Sequence, residues 1–287
     1  MPSSRPSSAS NRPFFAWQAL AVEEAAFAVL FGLSMAAARR GPLVPSSMGE
    51  VSVLSFLALF AAVTVLVVVL IRALHSAKLV AAMFDAAMII GVANLLWIFF
   101  GPSAAVLGAA GAAVIRYAVP RIVLLDAVLL LGLAGVTAEL STSLRPTGIA
   151  VILAVLAVYD IIAVYGTRHM VEMAGALLRQ RAVFAIIVPS TAKGWLAPFP
   201  EARPGGGFTF LGTGDAVLPA LLVAAVAREQ SVAAATVVGL GAALGLACTH
   251  FLFASARHVA RERRDPMPAL PPIATGALLG YLFTFLT

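Results

Sequence analysis

The sequence predicts an all-helical, polytopic membrane protein with nine transmembrane helices. Three observations predict it. The 287 residues are 61% hydrophobic and only 11% charged, against about 25% charged in an ordinary soluble domain. The mean hydropathy is +1.00. Nine separate apolar stretches approach the roughly 20 helical residues needed to cross a hydrocarbon core about 30 Å thick. The same composition excludes a soluble globular chain and a disordered one. Cys248 is the single cysteine, so a disulfide scaffold is excluded too. A net charge of +6 in so apolar a chain fits basic loops against an anionic leaflet better than it fits nucleic-acid binding.

In chain order the spans are residues 14–38, 51–71, 79–100, 104–119, 122–140, 147–164, 208–226, 231–253 and 268–286. The second is the cleanest, with no charge. The fourth is the shortest and carries Arg116. The first carries Glu23 and Glu24 near its middle and is long and acidic, unlike a cleavable signal peptide with a basic start and a short apolar run; it is read as retained. Nine spans put the termini on opposite sides, and the positive-inside rule chooses which. With the N-terminus inside, 15 of the 19 Lys and Arg residues fall on the cytoplasmic side. Only Arg39, Arg40, Arg145 and Arg228 fall outside. The expected location is the cell membrane, with the N-terminus cytoplasmic and the C-terminus outside.

Residues 1–13, rich in Ser, Pro and Arg, read as a disordered tail. Residues 14–146 hold the first five helices. Residues 147–287 hold helices six to nine with one substantial cytoplasmic loop, 165–207. Within that loop the apolar run 182–188 is too short to span. It reads as a strand, a continued helix or an interfacial segment. The Pro204-Gly205-Gly206-Gly207 run that follows has the composition of a flexible link. No internal repeat of the transporter kind is visible.

An ionisable residue at membrane depth costs at least a few kcal/mol, so each one needs a reason. Asp85, Asp126 and Glu139 lie toward helix ends, where snorkelling or local pairing accounts for them. Glu23 and Glu24 are left between packing inside the bundle and a misplaced boundary. Asp160 and Asp215 differ. One lies seven residues before the cytoplasmic end of span six and the other seven residues into span seven, each about 10 Å deep at ~1.5 Å per residue. Antiparallel neighbours pack some 8–10 Å apart, so the two side chains can meet.

Two acids that meet in a low-dielectric site share one proton and titrate as a pair. That state suits peptide hydrolysis: the ionised member takes a proton from water and the protonated one polarises the scissile carbonyl. It requires no metal and no cofactor. The four histidines, His75, His169, His250 and His258, form no metal-binding pair, and no serine-nucleophile elbow is present. A proton relay in a proton-coupled transporter also explains paired acids, and on the charges alone it is the stronger reading. A non-catalytic membrane scaffold is the third.

The flanking residues reverse that preference. Tyr159-Asp160 lies on span six, Gly212-Thr213-Gly214-Asp215 on span seven and Pro268-Ala269-Leu270 at the start of span nine. This order of YD, GxGD and PAL resembles the presenilin and signal peptide peptidase family of GxGD intramembrane aspartyl proteases, in particular its prokaryotic, archaeal-type members. The resemblance covers the nine-span plan and is most specific from about Leu153 onward. It implies an intramembrane aspartic endopeptidase with Asp160 and Asp215 as the catalytic dyad, acting on single-span transmembrane substrates near the cytoplasmic face. The N-in topology is similar to the presenilin side of the family.

Gly212 and Gly214 remove side chains just before Asp215, for close backbone approach or plain helix packing. Tyr159 puts a hydroxyl near the dyad or is an interfacial aromatic. Pro268, Ala269 and Leu270 mark irregular backbone beside a water-filled cavity or a simple helix start. A substrate helix must unwind to be cut, and strand addition would satisfy its backbone. Residues 183–188 and 207–211 are the extended segments that the resemblance suggests for this. The partners expected are membrane-spanning substrates and the lipid bilayer, with a homo-oligomer left open.

Overall fold

The computed structural model describes residues 12–41, 52–73, 77–166, 185–203, 206–259 and 268–286. Residues 1–11 of the predicted tail and residues 167–184 of the predicted loop lie outside them. Among the described residues there are nine α-helices: α1 (Arg12–Arg40), α2 (Val53–Ala73), α3 (Ala77–Phe100), α4 (Pro102–Ala118), α5 (Ile122–Leu140), α6 (Pro146–Ile161), α7 (Thr213–Glu229), α8 (Val232–Val259) and α9 (Leu270–Phe283). Five of the apolar segments are long enough to cross a membrane by length and composition: Trp17–Arg40, Ala81–Phe100, Ile122–Leu140, Pro146–Tyr165 and Val232–Leu252.

The breaks between helices follow from the residues at them. Gly101 takes φ +84° and Pro102 follows it at the start of α4. The left-handed conformation costs glycine little, and proline suits a first helical turn because its missing N–H has no helical partner there anyway. Pro146 opens α6 in the same way. α6 does not end cleanly but widens into a π-helical turn, Ile162–Gly166. Such turns are rare and concentrate at functional sites.

The seventh predicted span needs correcting. Counted as a span from residue 208, it begins instead as a strand, Phe208–Gly212, in keeping with the extended reading of residues 207–211, and the helix starts at Thr213. Hydropathy cannot separate the two, because Phe-Thr-Phe-Leu is apolar enough for either. What decides is a partner: β1 (Ala185–Pro189) pairs antiparallel with β2 (Phe208–Gly212), with Ile186 opposite Leu211 and Val188 opposite Thr209. Of the three readings left open for the 182–188 run, the strand is the one observed over Ala185–Pro189.

α7 is the hub. Ala216 and every residue from Pro219 to Ala227 are buried. A helix that is apolar on all sides belongs in the middle of a bundle, and α7 packs against α1, α5, α6, α8 and α9. By contrast α2 and α4 carry exposed large apolar residues such as Leu54, Leu59, Val106 and Leu107, as a lipid-facing surface requires. Between helices the packing relies on small residues. Gly241 and Gly245 of α8 face Gly276 and Gly280 of α9 so closely that a Cβ on any of them would meet the opposing backbone. Without a hydrophobic driving force between helices in lipid, such close approach is a main source of association. A buried hydrogen bond of 2.7 Å between Ser34 and Thr137 adds a polar tie between α1 and α5.

Gly276→Ala is therefore expected to destabilise the bundle by about 1–3 kcal/mol, the usual range for overpacking. Gly32→Ala should cost nothing comparable, because a Cβ there meets nothing within 4 Å. Thermal unfolding of the two purified variants in one detergent compares them directly; equal melting temperatures would contradict the packing argument.

Candidate active site

Asp215 is the third residue of α7, whose N-cap is Gly212. An acid at that position reaches back to the N-cap backbone, the acidic half of a capping box. Here the Gly212 backbone N–H hydrogen-bonds the Asp215 carboxylate. The positive end of the helix dipole favours the same charge. Gly212 has to be glycine for a local reason: a Cβ on it would stand 2.9 Å from Asp215 Oδ2. The close approach expected at this glycine is thus made by the aspartate itself. Gly214 differs, since it is exposed and a Cβ there would point into open space. Four residues on, Pro219 interrupts the helix. It has no N–H to offer the Asp215 carbonyl, which leaves that backbone group outside the helical ladder.

Asp160 lies one residue before the last α-helical residue of α6, just ahead of the π-helical turn that carries the helix on to Gly166. It is buried, at 7% exposure. A buried carboxylate there needs a hydrogen-bond donor, and the donor comes from another helix. The Leu270 backbone N–H, at the start of α9, hydrogen-bonds Asp160. The next two residues, Pro271 and Pro272, carry no N–H, so Leu270 is the sole donor among the first three residues of α9. Pro268 is buried beside it and Ala269 is the N-cap. Asp160 Oδ2 is buried with no hydrogen-bond partner.

These two aspartates interact electrostatically across the α6–α7 contact. The depth argument pointed to this meeting with one wrong boundary. Asp215 stands in the first turn of α7, not seven residues into a helix, and it meets Asp160 because that residue stands in the last turn of α6. The starts of α7 and α9 and the passage of α6 into its π-helical turn therefore lie at the pair. Tyr159 is 40% exposed, and among the described residues no hydrogen bond joins it to either aspartate.

The remaining acids are placed as follows. Asp85 is paired, with Arg116 Nε of α4 at 2.7 Å. Glu139 is exposed and accepts a hydrogen bond of 3.3 Å from Asn94. Asp126 neither snorkels nor pairs with a cation among the described residues. It is buried and accepts the Ile187 backbone N–H at 3.1 Å. Glu23 packs inside the bundle at 1% exposure, with its carboxylate 3.4 Å from His250 Nε2 of α8. It lies close enough to Asp215 to interact with it electrostatically. Neither the His250 partner nor the Ile187 contact was readable beforehand, because helical periodicity does not say which helices pack together. Pro219 was legible as a proline four residues after a candidate aspartate and was missed.

The β1–β2 ribbon runs straight into this site, since its last residue, Gly212, is the N-cap of α7. Ser190 N–H bonds Gly207 O at 2.7 Å, which fixes the alternation along the ribbon. Val188 with Thr209 and Ile186 with Leu211 are then the hydrogen-bonded pairs. Phe208 and Phe210 turn their N–H and C=O groups to the outer edge. Among the described residues the sheet has two strands, so no strand covers that edge.

Comparison with known proteins gives the family and the fold. Residues 28–287 match the family model described as signal-peptide peptidase, presenilin aspartyl protease, and the chain belongs to that family. No curated protein matches the sequence. Two solved structures of a presenilin family intramembrane aspartate protease, from the C222 and P2 space groups, share the fold. Each has a TM-score of 0.61 and 22% identity. The first covers 94% of this chain and 99% of its own, the second 92% and 96%. The protein is thus an intramembrane aspartic protease of presenilin-like fold and a multi-pass membrane protein. Nothing in the family or the fold supports the transporter reading.

The meeting of the two aspartates can be measured. In a Cys248→Ser background, cysteines at 160 and 215, with a protease site inserted within 167–184, should let a short thiol cross-linker hold the cut fragments together. Cysteine pairs 156/215 and 160/223, one and two turns up their helices, should link poorly. Failure of 160/215 where the controls succeed would separate the aspartates.

Proposed function

We propose that this chain is a nine-span endopeptidase that cuts transmembrane helices near the cytoplasmic face, using Asp160 and Asp215 as a dyad with water. The observation that carries the proposal is the two carboxylates brought together where α7 and α9 begin and α6 turns π-helical, in a member of an aspartyl protease family. Each aspartate takes a hydrogen bond from a neutral backbone N–H, and among the described residues neither has a cation beside it. One proton can therefore be shared between them.

The chemistry then balances without a further group. The ionised aspartate takes a proton from water as the water oxygen attacks the scissile carbonyl carbon. The protonated aspartate gives its proton to the carbonyl oxygen, forming a neutral gem-diol. The newly protonated aspartate then gives its proton to the amide nitrogen while the other aspartate takes one from a gem-diol hydroxyl; the C–N bond breaks to a carboxylic acid and an amine, and the pair is again singly protonated. Gly214, bare and exposed, leaves space beside Asp215 for a substrate. Pro268, Ala269 and Leu270 supply the donor that holds Asp160. Tyr159 is assigned only to shaping the rim.

The substrate is a single-span protein whose helix has to open locally. The outer edge of β2 supports strand addition: Phe208 and Phe210 offer N–H and C=O groups to an extended segment, and the edge ends at Gly212 beside Asp215. The distribution of Lys and Arg supports a cytoplasmic N-terminus, which puts the dyad on the cytoplasmic side.

Asp160→Ala or Asp215→Ala should each lower cleavage of a single-span reporter at least about 100-fold while the fold is kept. The wild-type rate should fall on both sides of a pH optimum. Below it both acids are protonated and no base remains; above it both are ionised and no acid remains. Near-normal proteolysis by either purified variant, or a flat profile from about pH 4 to 9 with the fold intact, would refute the dyad.

Strand addition has its own test. Phe210→Pro removes one outward N–H without touching the bonds to β1, since proline is tolerated at an edge. It should lower kcat/KM about tenfold relative to Phe210→Val, one hydrogen bond's worth. Equal activities in the two variants would leave the edge without a role.

A further inference from the structure

Asp126 is a buried acid that the proposed chemistry does not use. It lies on α5, one turn in from the helix start at Ile122, at 6% exposure. Its Oδ1 accepts the Ile187 backbone N–H at 3.1 Å, and Oδ2 is buried without a partner. Ile187 is the central residue of β1 and is 1% exposed. Because Ser190 bonds Gly207, Ile187 and Phe210 face each other at a position without ladder hydrogen bonds. The Ile187 N–H therefore points away from β2, into the bundle, where no water can serve it. A buried N–H of this kind has to be satisfied.

The contact belongs to a larger docking. The Ile187 side chain packs with Ile122 and Leu125 of α5 and with Phe199. The segment carrying Phe199 bonds to the start of α5 through Ile122 N–H to Ala197 O at 3.2 Å and Phe199 N–H to Pro120 O at 2.9 Å. β1 is thus fastened along the edge facing α5, while the outer edge of β2 stays open. The ribbon ends at Gly212, whose N–H bonds Asp215. The frame that fixes β1 against α5 is consequently the frame that fixes where the β2 edge lies relative to the dyad.

We propose that Asp126 is a positioning residue for proteolysis, holding the β1–β2 ribbon on α5 so that a substrate strand added to β2 presents its scissile bond to Asp160 and Asp215. The inference rests on the strand-addition reading of the substrate site. Asp126 does not touch the reacting atoms. It acts through one backbone hydrogen bond, and what matters is its acceptor oxygen. The same bond occupies the central outward N–H of β1, and Pro189 has none to offer, so strand addition is favoured on β2.

The test compares Asp126→Asn, which keeps an acceptor for Ile187, with Asp126→Leu, which does not. Four readouts are taken on the full-length protein in detergent: exchange of the Ile187 amide, kcat/KM on a single-span reporter, the spread of cleavage positions by mass spectrometry, and binding of a small hydroxyl-bearing transition-state peptidomimetic. Asp126→Leu should speed amide exchange, lower kcat/KM about tenfold and spread the cuts to neighbouring bonds, while the peptidomimetic still binds within about twofold. Asp126→Asn should restore the wild-type values.

Unchanged cleavage and cut position in an Asp126→Leu protein whose Ile187 amide exchanges faster would overturn the proposal. So would equal damage from Asp126→Asn, or loss of peptidomimetic binding, which would make the residue merely structural. If Asp126→Leu does not fold, Asp126→Ala removes the acceptor with less bulk and carries the same comparison. Phe210→Pro keeps the two ideas apart. If it is harmless, strand addition fails whatever Asp126 does; if it impairs cleavage and Asp126→Leu does not, only the present inference fails.

Discussion

A carboxylate placed inside a bilayer needs a donor or a shared proton, and the site region of this protein is arranged around that constraint. Five acids illustrate two solutions. Asp85 faces the Arg116 guanidinium and Glu23 faces His250, so each has a titratable or cationic partner. Asp126, Asp160 and Asp215 are held by the backbone N–H groups of Ile187, Leu270 and Gly212. The difference matters for chemistry. A guanidinium beside a carboxylate keeps it ionised, which suits a structural pair and would disable a dyad that has to pass a proton back and forth. A neutral N–H orients a carboxylate and leaves its proton exchangeable.

Backbone donors are scarce in a membrane, because a helix uses its own N–H groups. Helix starts are the exception, with orphan donors at each N-terminus. That scarcity explains why α7 and α9 both begin at the level of the site. It also explains the prolines after Leu270, which cost the α9 start no donor that a helix would need and leave one N–H aimed at Asp160. The strands follow from the same requirement. Non-helical backbone at membrane depth is tolerated where it is buried in protein or lines a cavity, and β1 meets this by pairing on one side and by Asp126 on the other.

Much of this was legible in the sequence, to an uneven degree. Span α5, 122–140, was readable to the residue, because Arg121 precedes it, Ser141 follows it, and the run between is mostly apolar despite Asp126 and Glu139. The pairing of Asp160 with Asp215 was legible from their order and depth, although the depth of Asp215 was counted along five residues that are strand. Hydropathy sums a window and does not feel a partner strand elsewhere in the chain, such as Ile187 opposite Phe210, so the end of the strand at Gly212 could not be placed. Gly212 was flagged for close approach, but what approaches, the Asp215 carboxylate, depends on a capping geometry that spacing alone hints at. Glu23 was left unexplained because His250 lies on a helix more than 200 residues later. Asp126 was given to snorkelling because its neighbour Arg121 suggested it; in the structure Arg121 bonds instead to the Leu196 carbonyl at 3.4 Å.

Gly212 ties these strands of argument together. It is the last residue of β2, the N-cap of α7 and the donor to Asp215. Alternation along β2 turns its N–H to the same outer edge as those of Phe208 and Phe210. An extended segment lying on that edge would find ladder groups at Phe208 and Phe210 and then, at the next outward position, an N–H already taken by the carboxylate. The ladder therefore stops where the chemistry begins. A side chain on Gly212 would press on Asp215, and a helix in place of the strand would turn these groups inward. In the proposed reading, a single residue thus sets both the end of substrate pairing and the position of the acid that cuts beyond it.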